Sequence, residues 1–533
     1  MASNGRTDAI VVGGGHNGLI TAGYLARAGL KVTLFERRPI VGGSCVTEEI
    51  APGFRVPRTS YVCSLLLPEI TRDFRLKDHG FQVYMLDPGA FLPYPDGRYM
   101  LNWFDQERAR REYAKFSARD AETFWTRMDE LGRLTPFIEE IQRTTPPSFP
   151  PRGLRDGWAF WKLWRRLRKL ERRDLKHLVE LMTASAAEYL DRRFESTEIK
   201  ASLAVSATIG SCVGVMTPGS AYVLLHHLIG NVDGVAGAWG YVRGGMGGLT
   251  QALARACEGL GVSIHTGSEV ERILVRDGRA EGVVLKNGDE HRARVVASNA
   301  DPKRTYLTLV EPRHLDGEFL DDIRRFKIQG SSIKVNCALS ELPNWTCLPG
   351  QDPASPHQRA LFEIAPSMVY LEEAFDDLKY GRPSRRPMIE GAVPSTVDDS
   401  LAPKGRHVMS MFVQYAPYHL KEGTWPEIRE RVADNIIDTL AEYAPNIKKA
   451  IIARDVVSPW DLEQEYGLTE GNIFHGEITP DQIFFLRPAM GWADYRSPLR
   501  GLYLCGSGAH PGGGVMGGPG LNASREILKD LGR

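Results

Sequence analysis

Three glycines near the start of the chain have the spacing of a loop that binds phosphate groups. The sequence reads Gly13-x-Gly15-x-x-Gly18 directly after the apolar residues 8–12 and directly before a predicted helix. In such a loop the first glycine permits a tight turn, the second lets a diphosphate approach the backbone, and the third lets helix and strand pack closely. The free amides at the start of the helix then face the phosphates. We therefore predict a dinucleotide site at Gly13, Gly15 and Gly18.

The residues that follow this loop favour FAD among the dinucleotides. Glu36 ends the next predicted strand, where a carboxylate binds ribose hydroxyls and disfavours the 2′-phosphate of NADP. Gly43 and Ser44 come shortly afterwards and favour FAD over NAD, because a bulkier dinucleotide needs close backbone approach beyond the ribose. Arg37 is a candidate phosphate contact, and a solvated surface charge is its alternative interpretation.

A second glycine-rich segment lies near the other end of the chain. Residues 501–505 form a predicted strand, residues 506–520 contain the glycines, and another helix is predicted to begin at about residues 518–521. The positive end of that helix would stabilise negative charge on a reduced flavin ring. A cofactor bound by both ends of the chain is long, which again favours FAD. The predicted cofactor-binding residues of this segment are Gly506, Gly513, Gly514, Val515 and Met516.

Two histidines and one tyrosine are the candidate catalytic residues. His475 precedes a stretch expected near the flavin, and His510 lies inside the second glycine-rich segment. A histidine titrates in a range that suits proton relay, and a hydrogen-bonded structural role is the alternative for each. Tyr61 is placed on the substrate side of the ring, with packing in the core as its alternative. Desaturation of an unactivated chain would need no base at all.

Composition excludes several classes of protein. Lys and Arg number 66 and so do Asp and Glu, so no overall charge attracts nucleic acid. The seven cysteines include no C-x-x-C pair, and the adjacent His226 and His227 cannot chelate one metal from one helix face, so neither a redox disulfide nor a metal site is predicted. Few residues precede the first strand and no apolar run could span a bilayer. We therefore expect a cytoplasmic location, with peripheral membrane attachment as an alternative.

Several glycine motifs occur in an order that resembles one known family. The loop at residues 13–18, the glycines at 42–43, and the segments at 244–248, 298–301 and 506–520 resemble the phytoene desaturase, carotene isomerase and retinol saturase family of flavoproteins. The tail, at residues 466–477 and 504–514, resembles more closely one branch of this family, that of pyridine nucleotide-disulfide oxidoreductase domain-containing protein 2 and its bacterial relatives. The resemblance covers essentially the whole chain. It implies an FAD-binding Rossmann domain like that of glutathione reductase, and a second domain for an apolar substrate.

The predicted fold is therefore α/β with α+β insertions, in two discontinuous domains. The FAD-binding domain comprises residues 1–75, 240–305 and 490–533, and it includes three predicted strands at 269–276, 280–286 and 290–297. Val270, in the first of these strands, is added to the candidate cofactor contacts. The mixed substrate-binding domain, with a helical lid, comprises residues 76–239 and 306–489.

Residues 156–173 are predicted to form an amphipathic helix in that lid. Tryptophans and leucines share one half of the helical wheel, and lysines and arginines share the other half. This pattern is typical of a helix that lies at a membrane surface or guards an opening for a lipid-like substrate or quinone. A lid helix that packs on the protein or on a second subunit is the alternative. The oligomeric state stays open, with a homodimer as one choice.

These observations together predict an FAD-dependent oxidoreductase of the desaturase, dehydrogenase or oxidase type. It would transfer a hydride from a hydrophobic, lipid- or polyene-like substrate to flavin N5. The electrons would then pass to oxygen, a quinone or a partner, because the sequence encodes no internal carrier. Two alternatives stay open: a flavin-dependent isomerase without net redox change, and a regulatory or binding protein that FAD stabilises.

Overall fold

The computed structural model describes residues 7–151 and 153–533. Helices occupy most of residues 106–228, and the strands lie outside this segment. In chain order the helices are α1 His16–Arg27, α2 Pro68–Asp73, α3 Gln106–Ala114, α4 Ala118–Gly132, α5 Thr135–Gln142, α6 Leu154–Leu167, α7 Arg172–Thr183, α8 Ala186–Asp191, α9 Thr197–Val205, α10 Ser220–Leu228, α11 Gly247–Gly259, α12 Gly317–Arg325, α13 Pro356–Arg359, α14 Met368–Lys379, α15 Trp425–Ala441, α16 Ile447–Ala450, α17 Pro459–Tyr466 and α18 Gly518–Asp530.

The strands form two principal sheets, one three-stranded sheet and three two-stranded sheets. In chain order they are β1 Ala9–Val12, β2 Val32–Phe35, β3 Thr47–Ala51, β4 Phe54–Pro57, β5 Val83–Met85, β6 Ala90–Pro93, β7 Tyr99–Asn102, β8 Asn231–Val232, β9 Val235–Ala236, β10 Gly240–Val242, β11 Ser263–His265, β12 Val270–Arg276, β13 Arg279–Leu285, β14 Glu290–Arg292, β15 Val295–Ser298, β16 Ser332–Leu339, β17 Leu361–Ile364, β18 Met388–Ala392, β19 His407–Gln414, β20 Ile451–Val457 and β21 Leu502–Leu504.

The first sheet is parallel and has the order β11-β2-β1-β15-β21. Its central strands β1 and β15 are buried along their whole length, as expected for short apolar strands covered on both faces. Helix α1 packs against both α11 and α18. The sheet thus joins strands from the beginning, the middle and the end of the chain. The loops at the carboxyl ends of β1, β15 and β21 meet at one edge, where ligands of such sheets bind.

The last of the three predicted strands at residues 269–297 is divided into two strands in the structure. Residues 290–297 were expected to form a single strand beside residues 280–286. Instead β14 alone pairs with β13, and β15 joins the parallel sheet between β1 and β21. The reason is burial, because β14 is largely exposed whereas every residue of β15 is buried.

The second sheet is mixed and has the order β20-β16-β19-β18-β17-β6-β7. Its two faces bury alternate residues, as the period of a strand requires. On one face Leu92 belongs to the core formed with the helices of residues 106–228. On the other face the neighbouring Phe91 packs in a separate core with Trp345 and α15.

The lid differs from the sequence prediction in two ways. The single helix expected over residues 156–173 is two helices, since α6 ends at Leu167 and α7 begins at Arg172. The tryptophans of α6 were expected on the half-wheel opposite the cations, but Trp158, Trp161 and Trp164 are exposed among the cations. Within residues 7–151 and 153–533, no helix is long and apolar enough to cross a bilayer.

Candidate cofactor site and active site

One continuous cavity extends from the edge of the parallel sheet to the mixed sheet. Gly15 and Glu36 line its first part, and Lys334 and Phe412 line its far part. The first part is polar and rich in glycine, whereas the far part is mostly apolar. The polar part suits the phosphates and ribose of a dinucleotide, and the apolar part suits a flat aromatic ring together with an apolar ligand beside it.

The glycine loop between β1 and α1 is packed tightly against its surroundings. A Cβ atom on Gly18 would lie 2.1 Å from the Gly13 carbonyl oxygen, so helix and loop touch as the motif predicts. A Cβ on Gly15 would lie 2.8 Å from Nδ2 of Asn299, a neighbour that the motif did not reveal. Leu19 N donates the first helical hydrogen bond, to Gly15 O, so the three amides before it are available to phosphate oxygens.

Glu36 is held beside this loop by backbone amides. Its carboxylate accepts hydrogen bonds from Gly14 N at 2.7 Å and from Arg38 N at 2.8 Å. The side chain is buried and still lines the cavity. Because each carboxylate oxygen has a second lone pair, Glu36 can also accept from a ribose hydroxyl.

Further predicted contacts lie on the same part of the cavity. Arg37, Gly43, Ser44 and Val270 all line it. The guanidinium of Arg37 also donates to Gln464 O at 2.9 Å, which ties it to a neighbouring helix end. A second arginine was missed, since Arg304 lines the cavity and its Nε is buried without a partner among the described residues. A cation at this position would attract the negative charge of a diphosphate.

The glycine-rich segment near the end of the chain lines the cavity only in part. Gly514 and Val515 lie on the wall, whereas Gly506, Gly513 and Met516 are not among the described residues that line it. A Cβ on Gly506 would lie 2.5 Å from Asn299 O, and a Cβ on Gly513 would lie 2.3 Å from the Phe474 ring. These glycines therefore serve close packing. Met516 is buried in the core of the helical region.

The two glycine-rich segments are joined directly. Nδ2 of Asn17 donates to Oγ of Ser507 at 3.1 Å, and both residues line the cavity. Helix α18 begins at Gly518, as expected from the sequence. The amides at the start of α1, the carboxylate of Glu36 and the close-approach glycines fit a dinucleotide such as FAD. His16 Nε2 is a further buried donor or acceptor without a partner in the described chain.

The two candidate histidines occupy different places. His475 lines the cavity, and its Nδ1 is buried without a partner among the described residues. Burial lowers the pKa of His475, and the nearby Asp301 carboxylate opposes this effect. His510 is outside the cavity wall in the described chain and donates from Nε2 to Ile141 O at 3.0 Å. This hydrogen bond fits the structural alternative for His510, whose catalytic role stays a prediction. Burial lowers the pKa of His510 to about 4.

Tyr61 lies on the cavity wall as expected, within a buried polar cluster that the sequence did not reveal. Its hydroxyl donates to the Glu390 carboxylate, and Nζ of Lys334 lies 4.1 Å from the centre of its ring. Glu390 faces Glu363 across adjacent strands, and burial raises the pKa of both carboxyl groups. Burial of Tyr61, together with Glu390, raises the pKa of its phenol. Tyr61, Glu363 and Glu390 therefore keep their protons to higher pH than the same groups would in water.

Lys334 is the residue of this cluster that is best suited to accept or donate a proton. It is buried, lines the cavity, and donates to Oγ of Ser410 at 2.6 Å. Burial lowers its pKa to about 7, although the Glu390 and Asp455 carboxylates partly oppose the shift. A lysine near this value exchanges protons at neutral pH.

A cross-strand row of polar side chains supports Lys334. Ser410 donates to Oδ1 of Asn336 at 2.7 Å, and Asn336 donates to Oδ2 of Asp455 at 3.2 Å. The three residues are neighbours on β19, β16 and β20. Asp455 is paired in turn with Arg58 at 3.0 Å. The sequence signal was a lysine among the mostly apolar residues of β16, which is rare unless the lysine has buried partners.

Fold and site together are those of a flavoprotein, with a dinucleotide loop on a parallel sheet and a mixed sheet closing the far end of the cavity. Comparison with known proteins agrees with this class. A model of the family described as flavin containing amine oxidoreductase matches residues 18–528. The chain belongs to this family, and it is an FAD-dependent oxidoreductase.

Individual relatives span the whole chain. Mouse pyridine nucleotide-disulfide oxidoreductase domain-containing protein 2 is 42% identical, over 99% of this chain and 95% of its own. The neurosporene-forming phytoene desaturase of Cereibacter sphaeroides is 26% identical, over 98% of this chain and 94% of its own. The solved structure of a putrescine oxidase has a TM-score of 0.58 at 16% identity and covers 99% of both chains. The predicted resemblance, the α/β fold and the FAD cofactor are thereby confirmed.

Proposed function

We propose that this FAD-dependent oxidoreductase dehydrogenates a hydrophobic, lipid- or polyene-like substrate. The observation that carries the proposal is the far part of the cavity, which aliphatic and aromatic side chains surround beyond the nucleotide part. Such a wall binds a ligand mainly through apolar contact, with few polar groups to orient it. The apolar residues of this wall include Val62, Leu65, Ile209, Trp239, Phe412 and Phe474.

The likeness to phytoene desaturase supports this substrate class, because the name of that relative gives a polyene, phytoene, as the compound on which it acts. The likeness to putrescine oxidase reflects the fold alone. A small diamine would leave the apolar wall largely uncovered, and burial of apolar surface is the main source of binding energy in such a cavity.

Dehydrogenation removes a hydride and a proton from two neighbouring carbons and leaves a double bond. When bound, FAD supplies the hydride acceptor. The proton needs an acceptor on the protein, and neutral Lys334 is a base on the apolar wall. The ammonium that forms is hydrogen-bonded to Ser410 and faces the Glu390 and Asp455 carboxylates, which favour the charged form.

Anaerobic mixing with a panel of polyenes, terpenoids and fatty acyl compounds tests the proposal. A substrate of this class should bleach the oxidised flavin absorbance and yield a product lighter by two hydrogen atoms. Putrescine and other small amines serve as the comparison set. Bleaching by amines alone would contradict the proposal, and a product of unchanged mass with altered double-bond geometry would indicate isomerisation instead.

A further inference from the structure

Helix α6 exposes an unusual row of large aromatic side chains. Trp158, Trp161 and Trp164 are 54%, 39% and 51% exposed, and they follow one another at intervals of three residues. The rings of Trp158 and Trp161 stack with their centres 4.4 Å apart, still in contact with solvent. No residue of α6 is buried. A contiguous exposed aromatic patch of this kind marks a binding surface more often than an ordinary protein surface.

Cations are interleaved with the tryptophans on the same face. Lys162 lies 5.6 Å from the ring centre of Trp158, Arg165 lies 4.8 Å from that of Trp161, and Arg168 lies 4.6 Å from that of Trp164. Each cation follows its tryptophan by four residues, so three successive aromatic–cation pairs run along the helix. The rings and the charges therefore lie side by side on one face of α6.

The opposite side of α6 already has partners in the protein. Phe160, Leu163 and Leu167 are partly buried, and the Phe160 ring lies 6.1 Å from the Phe149 ring. The inner side of α6 therefore supplies the apolar face by which a surface helix packs on its own protein. Within the described part of the chain, Trp158 and Trp164 on the outer side stay about half exposed.

The charge of this outer face is local and of one sign. Lys162, Arg165, Arg168, Lys169 and Arg172 are exposed, and no described residue forms an ion pair with them. The whole chain has a formal net charge of zero, so the concentration of cations is not a consequence of a basic protein. Aromatic rings beside unpaired cations suit the interface of a bilayer that carries anionic headgroups.

We propose that the outer face of α6, formed by Trp158, Trp161, Lys162, Trp164, Arg165 and Arg168, docks on an anionic lipid bilayer. The rings enter the headgroup region while the cations contact lipid phosphates. A symmetric contact with a second copy is disfavoured, because a two-fold interface brings the same patch of both copies together and would oppose like charges. The inference is independent of the substrate proposed above.

Binding to vesicles tests this surface in the intact, FAD-loaded protein. The protein should sediment with phosphatidylcholine vesicles that contain phosphatidylglycerol. A far smaller fraction should sediment with vesicles of phosphatidylcholine alone. The combined Lys162→Gln, Arg165→Gln and Arg168→Gln variant should bind about 100-fold more weakly. The combined Trp158→Ala, Trp161→Ala and Trp164→Ala variant should also lose binding, together with the blue shift of tryptophan fluorescence on vesicle addition.

Matched controls remove similar residues elsewhere on the surface. Trp460→Ala removes an exposed tryptophan, and the combined Arg75→Gln, Arg276→Gln and Lys286→Gln variant removes three exposed cations. Both controls should bind vesicles like the original protein. Flavin absorbance and circular dichroism verify that every variant is folded.

Two results would overturn the inference. One is equal vesicle binding by the original protein and both α6 variants. The other is a concentration-dependent dimer that the tryptophan variant dissociates, with no binding to anionic vesicles. Reduction of the flavin by a detergent-solubilised substrate is measured without vesicles, so failure of docking and failure of the proposed reaction give separate readouts.

Discussion

The side-chain amide of Asn17 donates a hydrogen bond to the Ser507 hydroxyl at 3.1 Å, although 490 residues separate them in the chain. Asn17 Oδ1 also accepts from Gly520 N at 3.4 Å. One side chain in the first glycine loop therefore contacts both the second glycine-rich segment and the start of α18. The cofactor site is complete only when the two ends of the chain are together.

Replacement of Asn17 should loosen the cofactor. Asn17→Ala removes both hydrogen bonds from a buried position, and the loss of about 1–2 kcal/mol corresponds to roughly tenfold weaker FAD binding. Fluorescence titration of the apoprotein with FAD measures the change. Asn287→Ala, in an exposed hairpin turn, is the control. Equal affinity of both variants would show that the contact between the chain ends does not support the cofactor.

Gly18→Ala should abolish FAD binding more completely. The added Cβ would meet the Gly13 carbonyl oxygen at 2.1 Å, so the loop or α1 must move. Purified protein should be colourless and should melt at a lower temperature. Gly132→Ala, at the end of α4, adds the same methyl group where nothing lies within 4 Å, and it should stay yellow. A yellow Gly18→Ala protein with full FAD content would argue against the tight loop.

The rate of flavin reduction should depend on the protonation of Lys334. Its pKa of about 7 makes the amine neutral above that pH, so the rate should rise as pH increases through about 7. Lys334→Met should abolish this step and slow reduction by about 100-fold. Ser410→Ala removes the hydrogen-bond acceptor of the ammonium and should shift the step to lower pH. Anaerobic stopped-flow absorbance measures these rates, and a step that persists in Lys334→Met would assign it to another group.

The two histidines should respond differently to replacement. His510→Gln should leave the rate of flavin reduction within about twofold and lower stability by about 1 kcal/mol, because its hydrogen bond to Ile141 holds the lid. His475→Gln should change the rate, since this ring lies on the cavity wall. Parallel measurements of reduction rate and melting temperature separate the roles. The opposite pattern would restore His510 as the catalytic candidate.

Glu526 should stabilise the contact between the lid and α18 in a pH-dependent way. Burial alone would raise its pKa, but hydrogen bonds from Lys529 and Thr145 outweigh burial and lower the pKa from 4.5 to about 2. The stabilisation is present above about pH 4.5 and is lost as pH falls towards about 2. Glu526→Gln should therefore cost about 2 kcal/mol at neutral pH, allowing for the exposure of its cationic partners, and progressively less in acid. Denaturant unfolding at several pH values measures this, with exposed Glu258→Gln as control.

The cofactor loop could be predicted from local sequence, because its chemistry depends on neighbouring residues. The spacing of Gly13, Gly15 and Gly18 and the position of Glu36 are properties of one short strand–loop–helix unit. The same holds for the start of α18, which follows a strand and a run of glycines. The roles of Gly506, Gly513 and His510 could not be predicted in this way, since a residue in a glycine-rich segment can face either the ligand or the packed interior.

The class of cofactor, the Rossmann domain and the family resemblance could thus be predicted from local sequence, since these depend on spacing and on short apolar strands. The residues around the apolar end of the cavity could be identified only from the folded chain. Lys334, Ser410 and Asp455 come from three strands that are far apart in the chain and adjacent in the sheet. Their shared hydrogen bonds and the low pKa of Lys334 arise because these residues are buried side by side. Which residues are buried side by side depends on which strands become neighbours in the sheet.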